Sequence, residues 1–238
     1  MGEKWLEMLQ TGLEELGLVY QEQQIEQLQQ FMATLLDYNR RTNLTAIADP
    51  EEVVVKHFLD SLAAARHIPP DSSVIDVGTG GGFPGIPLKI VMPSLQAVLI
   101  DSVRKKVDFL RLALGRLGLE DIVAYHARAE DLGQDSRFRG QFYISLSRAV
   151  SALRILLEYQ LPFLREGGLA LIYKARGIED EVSEAANAMG VLGGRLREVV
   201  ELHVPYLQAQ RQLLIIEKIG PTPGKYPRRA GMPGKRPL

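Results

Sequence analysis

Half of the ten residues from 76 to 85, DVGTGGGFPG, are glycine, and Asp76 stands ahead of them at the end of the apolar stretch Val74-Ile75. Glycine costs conformational entropy on folding and proline removes a donor, so such a stretch needs a backbone reason; the usual one is a ligand approaching bare amides. Two ligand chemistries compete. Gly80-x-Gly82-x-x-Gly85 matches the dinucleotide fingerprint of an NAD enzyme, with Pro84 inside it. Counted from the strand, however, the first glycine is Gly78, and the fingerprint then calls for glycine where Phe83 stands. Asp76-x-Gly78-x-Gly80 is instead the pattern of an S-adenosylmethionine site, in which no pyrophosphate needs cradling.

Three further positions belong to the same crevice. Asp101 closes the next apolar run, 19 residues past Gly82, where a carboxylate accepts the ribose hydroxyls of either cofactor, or caps the following helix. Ala129-Glu130 follows the third run, where a main-chain amide and a carboxylate meet an adenine edge; alone, Glu130 reads as a solvated helix-start residue. Arg148 ends the fourth run, and its planar head suits a carboxylate, a phosphate or a guanine edge. Contact with cofactor or backbone phosphate is favoured, and an ion pair with Asp76 across neighbouring strand ends is the alternative.

The elements that position these residues follow from periodicity. Residues 3–40 carry apolar stripes at helical spacing, Leu6 to Leu16 and Ile25 to Leu36. DPEE at 49–52 opens a helix with Asp49 as cap and Pro50 in its first turn, expected to run to about Arg66. From residue 72 short apolar runs alternate with helical lengths, the form of an α/β fold around a mainly parallel sheet. Strands are expected at 73–77, 95–101, 122–126, 142–147, 168–174, 197–204 and 211–218. The last two are joined by too short a link for a crossover, so they pair antiparallel at the sheet edge. A helix with one buried stripe spans Val103 to Leu117 and ends at Gly118. The division expected is a helical subdomain (1–68), a Rossmann-like domain (69–219) and a basic tail without regular structure (220–238), which holds five prolines and four glycines.

NLTAI (43–47), KHFLDSL (56–62), DVGTGGGFPGIPLKI (76–90), DSVRKKVDFL (101–110), RAE (128–130), SRAV (147–150) and KYPRRAGMPGKRPL (225–238) together closely resemble the glucose-inhibited division protein B family. The likeness covers nearly all of the chain after residue 40. It implies a class I S-adenosylmethionine-dependent fold and methylation of guanine N7 at position 527 of 16S rRNA, near the decoding site. It places Gly78, Phe83, Ala129, Glu130 and Arg148 at cofactor positions, with Asp101 and Ser102 at the ribose end; Asp76 and Gly80 join them from the loop pattern. It also brings Asn43 and Lys56 towards RNA.

Guanine N7 carries a lone pair, so methyl transfer needs orientation more than proton removal, and no catalytic base is expected. The fourth run ends SLSRAV, without the Asn/Asp-Pro-Pro-aromatic segment of exocyclic-amine methylation, and the absence of cysteine excludes a cysteine adduct, thiolate metal sites and disulfides. The four histidines are scattered without metal-ligand spacing. Arg40-Arg41 and the tail cations Lys225, Arg228, Arg229, Lys235 and Arg236 are the electrostatic candidates for RNA phosphates. Those five cations stand among no acids, in a chain of net charge −1. Tyr226 among them either stacks on a base or packs on the domain. No apolar run reaches membrane length and no signal-peptide plan opens the chain, so a cytoplasmic monomer is expected, acting on 16S rRNA within the small subunit or an assembly intermediate and releasing S-adenosylhomocysteine. A cofactor-binding assembly factor without turnover and an NAD-dependent oxidoreductase are the alternatives.

Overall fold

The computed structural model describes residues 3–148 and 151–238, so Ala149 and Val150 of the SRAV stretch lie outside the described residues. Its strands are β1 (Ser73–Val77), β2 (Gln96–Asp101), β3 (Ile122–His126), β4 (Phe142–Arg148), β5 (Leu164–Ala175), β6 (Gly194–Leu202) and β7 (Arg211–Lys218). They form one sheet in the order β3-β2-β1-β4-β5-β7-β6. The pairs from β3 through to β5 are parallel, and β7 runs antiparallel to both β5 and β6. The chain order therefore reverses between β1 and β4, leaving a crevice beyond their carboxyl ends. Two strands begin earlier than expected. β5 starts at Leu164, which pairs with Phe142 ahead of a register shift, and Gly167 (φ +79°) lies in the irregular stretch. β6 begins at Gly194, and it ends at Leu202, short of the expected residue 204.

The helices cover both faces. α1 (Glu3–Glu15) and α2 (Glu22–Thr42) precede α3 (Pro50–Val53), which Asp49 caps by accepting the Glu52 N–H at 3.0 Å. The helix does not run on to Arg66 as an ordinary α-helix. It widens into a π-helical stretch (Val54–Leu59), closes as α4 (Asp60–Leu62), and is followed by a 3₁₀ turn (Ala65–His67). In the widened stretch the carbonyls of Lys56 and His57 accept from Arg148 (3.0 and 3.4 Å), which an apolar periodicity does not signal. The remaining helices are α5 (Gly85–Val91), α6 (Arg104–Leu117, ended by Gly118 in the left-handed region), α7 (Ala129–Leu132), α8 (Leu153–Gln160), α9 (Glu179–Glu184), α10 (Ala186–Val191) and α11 (Met232–Lys235). None of the described helices is long and apolar enough to cross a membrane.

Successive strand residues feed opposite faces, as alternation requires. Val74 and Leu99 join Leu9, Leu28, Phe31, Phe58 and Phe109 in one apolar cluster, so α1, α2 and the 50–62 segment share a core with one side of the sheet. Ile75 and Ile100 join Leu157, Phe163, Ile172 and Leu214 on the other. Burying each such side chain stabilises the fold by roughly 1.5–3 kcal/mol. Polar residues of α2 also hold the two layers together. Gln24 donates to the Ile90 and Val91 carbonyls (2.7 and 3.1 Å), Gln27 to Leu117 (3.1 Å) and Gln30 to Arg116 (3.0 Å), satisfying the open carboxyl ends of α5 and α6.

Candidate cofactor and RNA site

The glycine loop joins β1 to α5, and its glycines serve two purposes. Gly78 (φ +74°) and Gly80 (φ +61°) are left-handed and border open space, where a Cβ would meet nothing within 4 Å. Gly85 is the opposite case: a Cβ there would lie 2.4 Å from Leu99 and 2.9 Å from an Asp76 carboxylate oxygen. Asp76 itself is fully buried and faces the loop interior instead of the cleft. Its Oδ2 accepts from the Thr79 hydroxyl (2.7 Å) and the Gly85 N–H (2.9 Å). Burial pushes its pKa up to about 6, against the opposing effect of those two hydrogen bonds. Through Oδ2 it braces the loop, while its Oδ1 has no hydrogen-bond partner among the described residues. Phe83, in a cis peptide with Pro84, anchors the loop to the helical layer through ring contacts with Phe31 (5.3 Å) and His57 (4.5 Å).

Beyond β1, β2 and β4 lies a cavity of about 250 Å³ whose lining includes Gly78, Asp101, Ser102, Ala129 and Glu130, five of the expected cofactor residues. Asp101 does not cap α6 in the usual way. Its Oδ1 accepts the Val103 N–H (2.8 Å) and its Oδ2 the Gly80 N–H (3.0 Å), leaving lone pairs on both oxygens for a diol. Ser147, from β4, also lines this cavity; its hydroxyl is buried and has no hydrogen-bond partner among the described residues. An unpartnered buried hydroxyl, a carboxylate with lone pairs to spare and a bare Gly78 suit a polar nucleoside ligand. Glu130 is buried rather than solvated, and its Oε1 accepts the Gly231 N–H from the tail at 2.8 Å.

Arg148 makes no hydrogen bond to Asp76. Its guanidinium reaches back to the helical layer, bonding Asp60 Oδ2 (3.0 Å) and His57 Nδ1 (3.1 Å) as well as the two π-helical carbonyls, and it lies 5.2 Å over the Phe83 ring. Arg211 of β7 donates to the other Asp60 oxygen at 3.1 Å. His57 Nε2 meets the Thr45 hydroxyl at 3.0 Å. Burial first, and the Arg148 charge second, push the His57 pKa down to about 3, so the ring is neutral and Nδ1 accepts from Arg148. This wall separates two spaces: a cleft of about 200 Å³ bounded by Gly78, Gly80, Phe83 and Thr45, and a larger cavity of about 630 Å³ bounded by Lys56, Asp60, Tyr173 and Arg211. His57 and Arg148 line both.

The sequence profile described as GidB, rRNA small subunit methyltransferase G, matches residues 24–214. The chain belongs to this methyltransferase G family. Curated relatives named ribosomal RNA small subunit methyltransferase G are 47% identical in Pelotomaculum thermopropionicum, over 98% of both chains. In Thermoanaerobacter pseudethanolicus the identity is 45% over the whole of both chains. Solved structures show the fold: a predicted O-methyltransferase from Agrobacterium tumefaciens (TM-score 0.53, 18% identity, 67% of this chain and 80% of that one). M. jannaschii TYW2, a complex with AdoMet, is a second (TM-score 0.52, 16% identity, 67% and 77%). The chain thus has the class I Rossmann-like architecture, with a helical region ahead of it.

The cations expected to meet RNA divide in the structure. Arg40 and Arg41 are exposed in the last turn of α2, Asn43 ends that helix in the left-handed region (φ 51°), and half-exposed Lys56 pairs with Glu52. Lys225, Arg229, Lys235 and Arg236 are exposed. Arg228 turns inward: its Nε and Nη2 hold the buried Glu158 carboxylate (2.9 and 2.6 Å). Tyr226 packs on the domain, 7% exposed, and the tail, expected to lack regular structure, lies on the body and includes the single turn α11. The pocket residues Ser151, Leu156 and Tyr159 and the Asp60–Arg211 pair escaped sequence reasoning. Asp60 did leave a signal, a carboxylate within the apolar stretch Phe58 to Leu62.

Proposed function

We propose that the chain transfers a methyl group from S-adenosylmethionine to N7 of guanine 527 of 16S rRNA. The observation that carries the reading is that three adjacent spaces beside the carboxyl edge of the sheet share lining residues. The nucleoside-sized cavity shares Gly78 and Lys106 with the glycine cleft, which shares His57 and Arg148 with the larger cavity. In this reading Asp101 and Ser102 hold the ribose, Ala129 and Glu130 stand at the adenine, Ser147 supplies its buried hydroxyl, and the bare Gly78 and Gly80 border the other end of the cofactor. When bound, S-adenosylmethionine supplies an electrophilic sulfonium methyl.

The remaining work falls to orientation. A neutral, hydrogen-bonded His57 has no role as a base at N7, and none is required, because the nucleophile is a lone pair already present. Arg148, clamped by Asp60 and the π-helical carbonyls, forms a fixed edge where the cofactor cleft meets the larger cavity, which takes the target base and lets its N7 approach the methyl group. Asp60 is shared between Arg148 and Arg211, so both guanidiniums are held in place. Exposed cations of α2 and the tail contact RNA phosphates, in keeping with a folded RNA surface or subunit particle as substrate and with a cytoplasmic location.

The test is transfer of labelled methyl from S-adenosylmethionine to small ribosomal subunits lacking the modification, with mass mapping of the product. Label at N7 of guanine 527 is expected. Label at another atom, or cofactor binding with no transfer, overturns the proposal, as does calorimetric binding of NAD but not of S-adenosylmethionine.

A further inference from the structure

The tail bonds two carboxylates, one lining the cofactor cavity and one next to a lining residue. Glu158 of α8 is fully buried, and Arg228 meets it with its backbone N–H (2.8 Å) as well as its guanidinium. Glu130 of α7, which lines the cavity, accepts the Gly231 N–H. Tyr159, next to Glu158 in the chain, is also a lining residue. Burial and then the Glu130 and Glu158 charges hold its hydroxyl pKa above the ordinary value, which marks both carboxylates as its neighbours. A second set of contacts keeps the chain seated: Arg139 donates to the carbonyls of Thr222 and Tyr226 (both 2.7 Å), and Gln134 to that of Pro227 (2.8 Å). Gly133, just past α7, leaves room for Pro227, since a Cβ there would lie 2.7 Å from the proline ring.

We propose that the tail is a positioning element for the adenosine end of the cofactor: the Gly231 amide sets the Glu130 carboxylate, and Arg228 holds α8 so that Tyr159 completes the wall. The inference rests on the cofactor reading given above. A buried carboxylate with a single backbone donor keeps one rotamer; without that donor it turns to other partners and the pocket edge is lost. The tail therefore acts on the cofactor as well as carrying cations outward.

Calorimetric titration tests this with the full chain, a chain ended at Arg229, Glu130→Ala, and the two changes combined. Ending at Arg229 keeps the Arg228 pair and removes Gly231. It is expected to weaken S-adenosylmethionine and 5′-methylthioadenosine alike by about tenfold, the size of losing one hydrogen bond to a charged group. Combined with Glu130→Ala, the truncation should add nothing, because both act through one carboxylate. In the full chain, hydrogen exchange at the Gly231 amide should slow when either ligand is added, since the coupling is reciprocal. Unchanged affinity after truncation, additive losses, or Gly231 exchange indifferent to ligand each overturn the inference while leaving the cofactor reading intact. Failure of the full chain to bind S-adenosylmethionine removes the cofactor reading, and this inference with it.

Discussion

The glycine loop and the C-terminal tail are both rich in glycine and proline, both contain a cis X-Pro bond (Phe83-Pro84 and Tyr226-Pro227), and both are held by buried carboxylates. They differ in what those carboxylates receive. Asp76 takes only neutral donors, Thr79 and Gly85, and its other oxygen has no partner among the described residues. Glu158 takes a guanidinium and a backbone amide on a fully buried site. A carboxyl served by neutral donors tolerates protonation; one served by a guanidinium depends on its charge partner. The loop is thus held through neutral donors, with Gly78 and Gly80 presenting backbone without side chains at a cleft, while the tail is tied down by a charge pair.

The comparison predicts its largest effect at Arg228. Arg228→Met leaves Glu158 buried without its charge partner and should cost about 3–5 kcal/mol, measured by urea unfolding. Asp76→Asn keeps an acceptor for Thr79 and Gly85 and should cost only about 1 kcal/mol. Equal losses would break the distinction between the two anchors.

Within the loop the two glycine classes should separate. Gly85→Ala pushes a methyl into Leu99 and Asp76 and is expected to lower stability by about 1–3 kcal/mol. Gly80→Val meets open space at a left-handed backbone, so its strain is about 1–2 kcal/mol, and its main consequence should be cofactor affinity lowered by about tenfold or more. Affinity unchanged in Gly80→Val would remove the loop from the site.

How much of this was open to the sequence depends on the range of each interaction. β1, β3 and β7 have the bounds that apolar runs predict, and Gly118 ends α6 where its positive φ is needed, because strand alternation and helix caps are local. That five of the expected cofactor residues line one cavity could be read from the sequence because each follows a strand or sits at its end, and parallel strands bring those ends together. The roles of Asp76 and Arg228 were not. Asp76 sits in a ligand-binding pattern yet turns inward, and Arg228 answers a glutamate 70 residues away. One sign did exist: Glu158 interrupts the buried stripe of α8 between Leu157 and Gln160, and a charge in such a stripe demands a counter-charge from elsewhere. Likewise nothing in apolar spacing distinguishes a π-helical turn from an α-helical one, so the carbonyls that hold Arg148 stayed hidden.

The wall that His57 and Arg148 form between the two spaces yields a smaller, pH-dependent effect. His57 is neutral in the fold with a pKa near 3, against about 6.5 when unfolded. Between those values the unfolded chain binds the additional proton, so this residue's contribution to stability falls as pH is lowered from 6.5 towards 3, by up to about 1.4 kcal/mol per unit. Asp76, with its pKa raised to about 6, works in the opposite direction, favouring the fold as pH falls through 6 towards 3.8. In His57→Asn the first term disappears, so acidification from pH 6 to pH 4 should cost the variant less than the parent. Parallel stability curves would show that His57 titrates in the fold as it does in the open chain.

The smallest effect concerns what remains of the tail as an RNA contact. With Arg228 turned inward, Lys225, Arg229, Lys235 and Arg236 are the cations left facing solvent. Each phosphate neutralised contributes about 0.7–0.9 to the slope of log affinity against log salt. Lys235→Gln with Arg236→Gln should therefore lower that slope for ribosomal RNA by about 1–2 while S-adenosylmethionine affinity stays the same. Neither substitution touches the Gly231 amide or the Glu158 pair, so a loss confined to the cofactor would mean that the last turn of the tail, too, serves the pocket and not the phosphates. A loss confined to RNA would divide the tail into an inward brace and an outward charged edge, a division that neither composition nor net charge can express because both halves carry arginine.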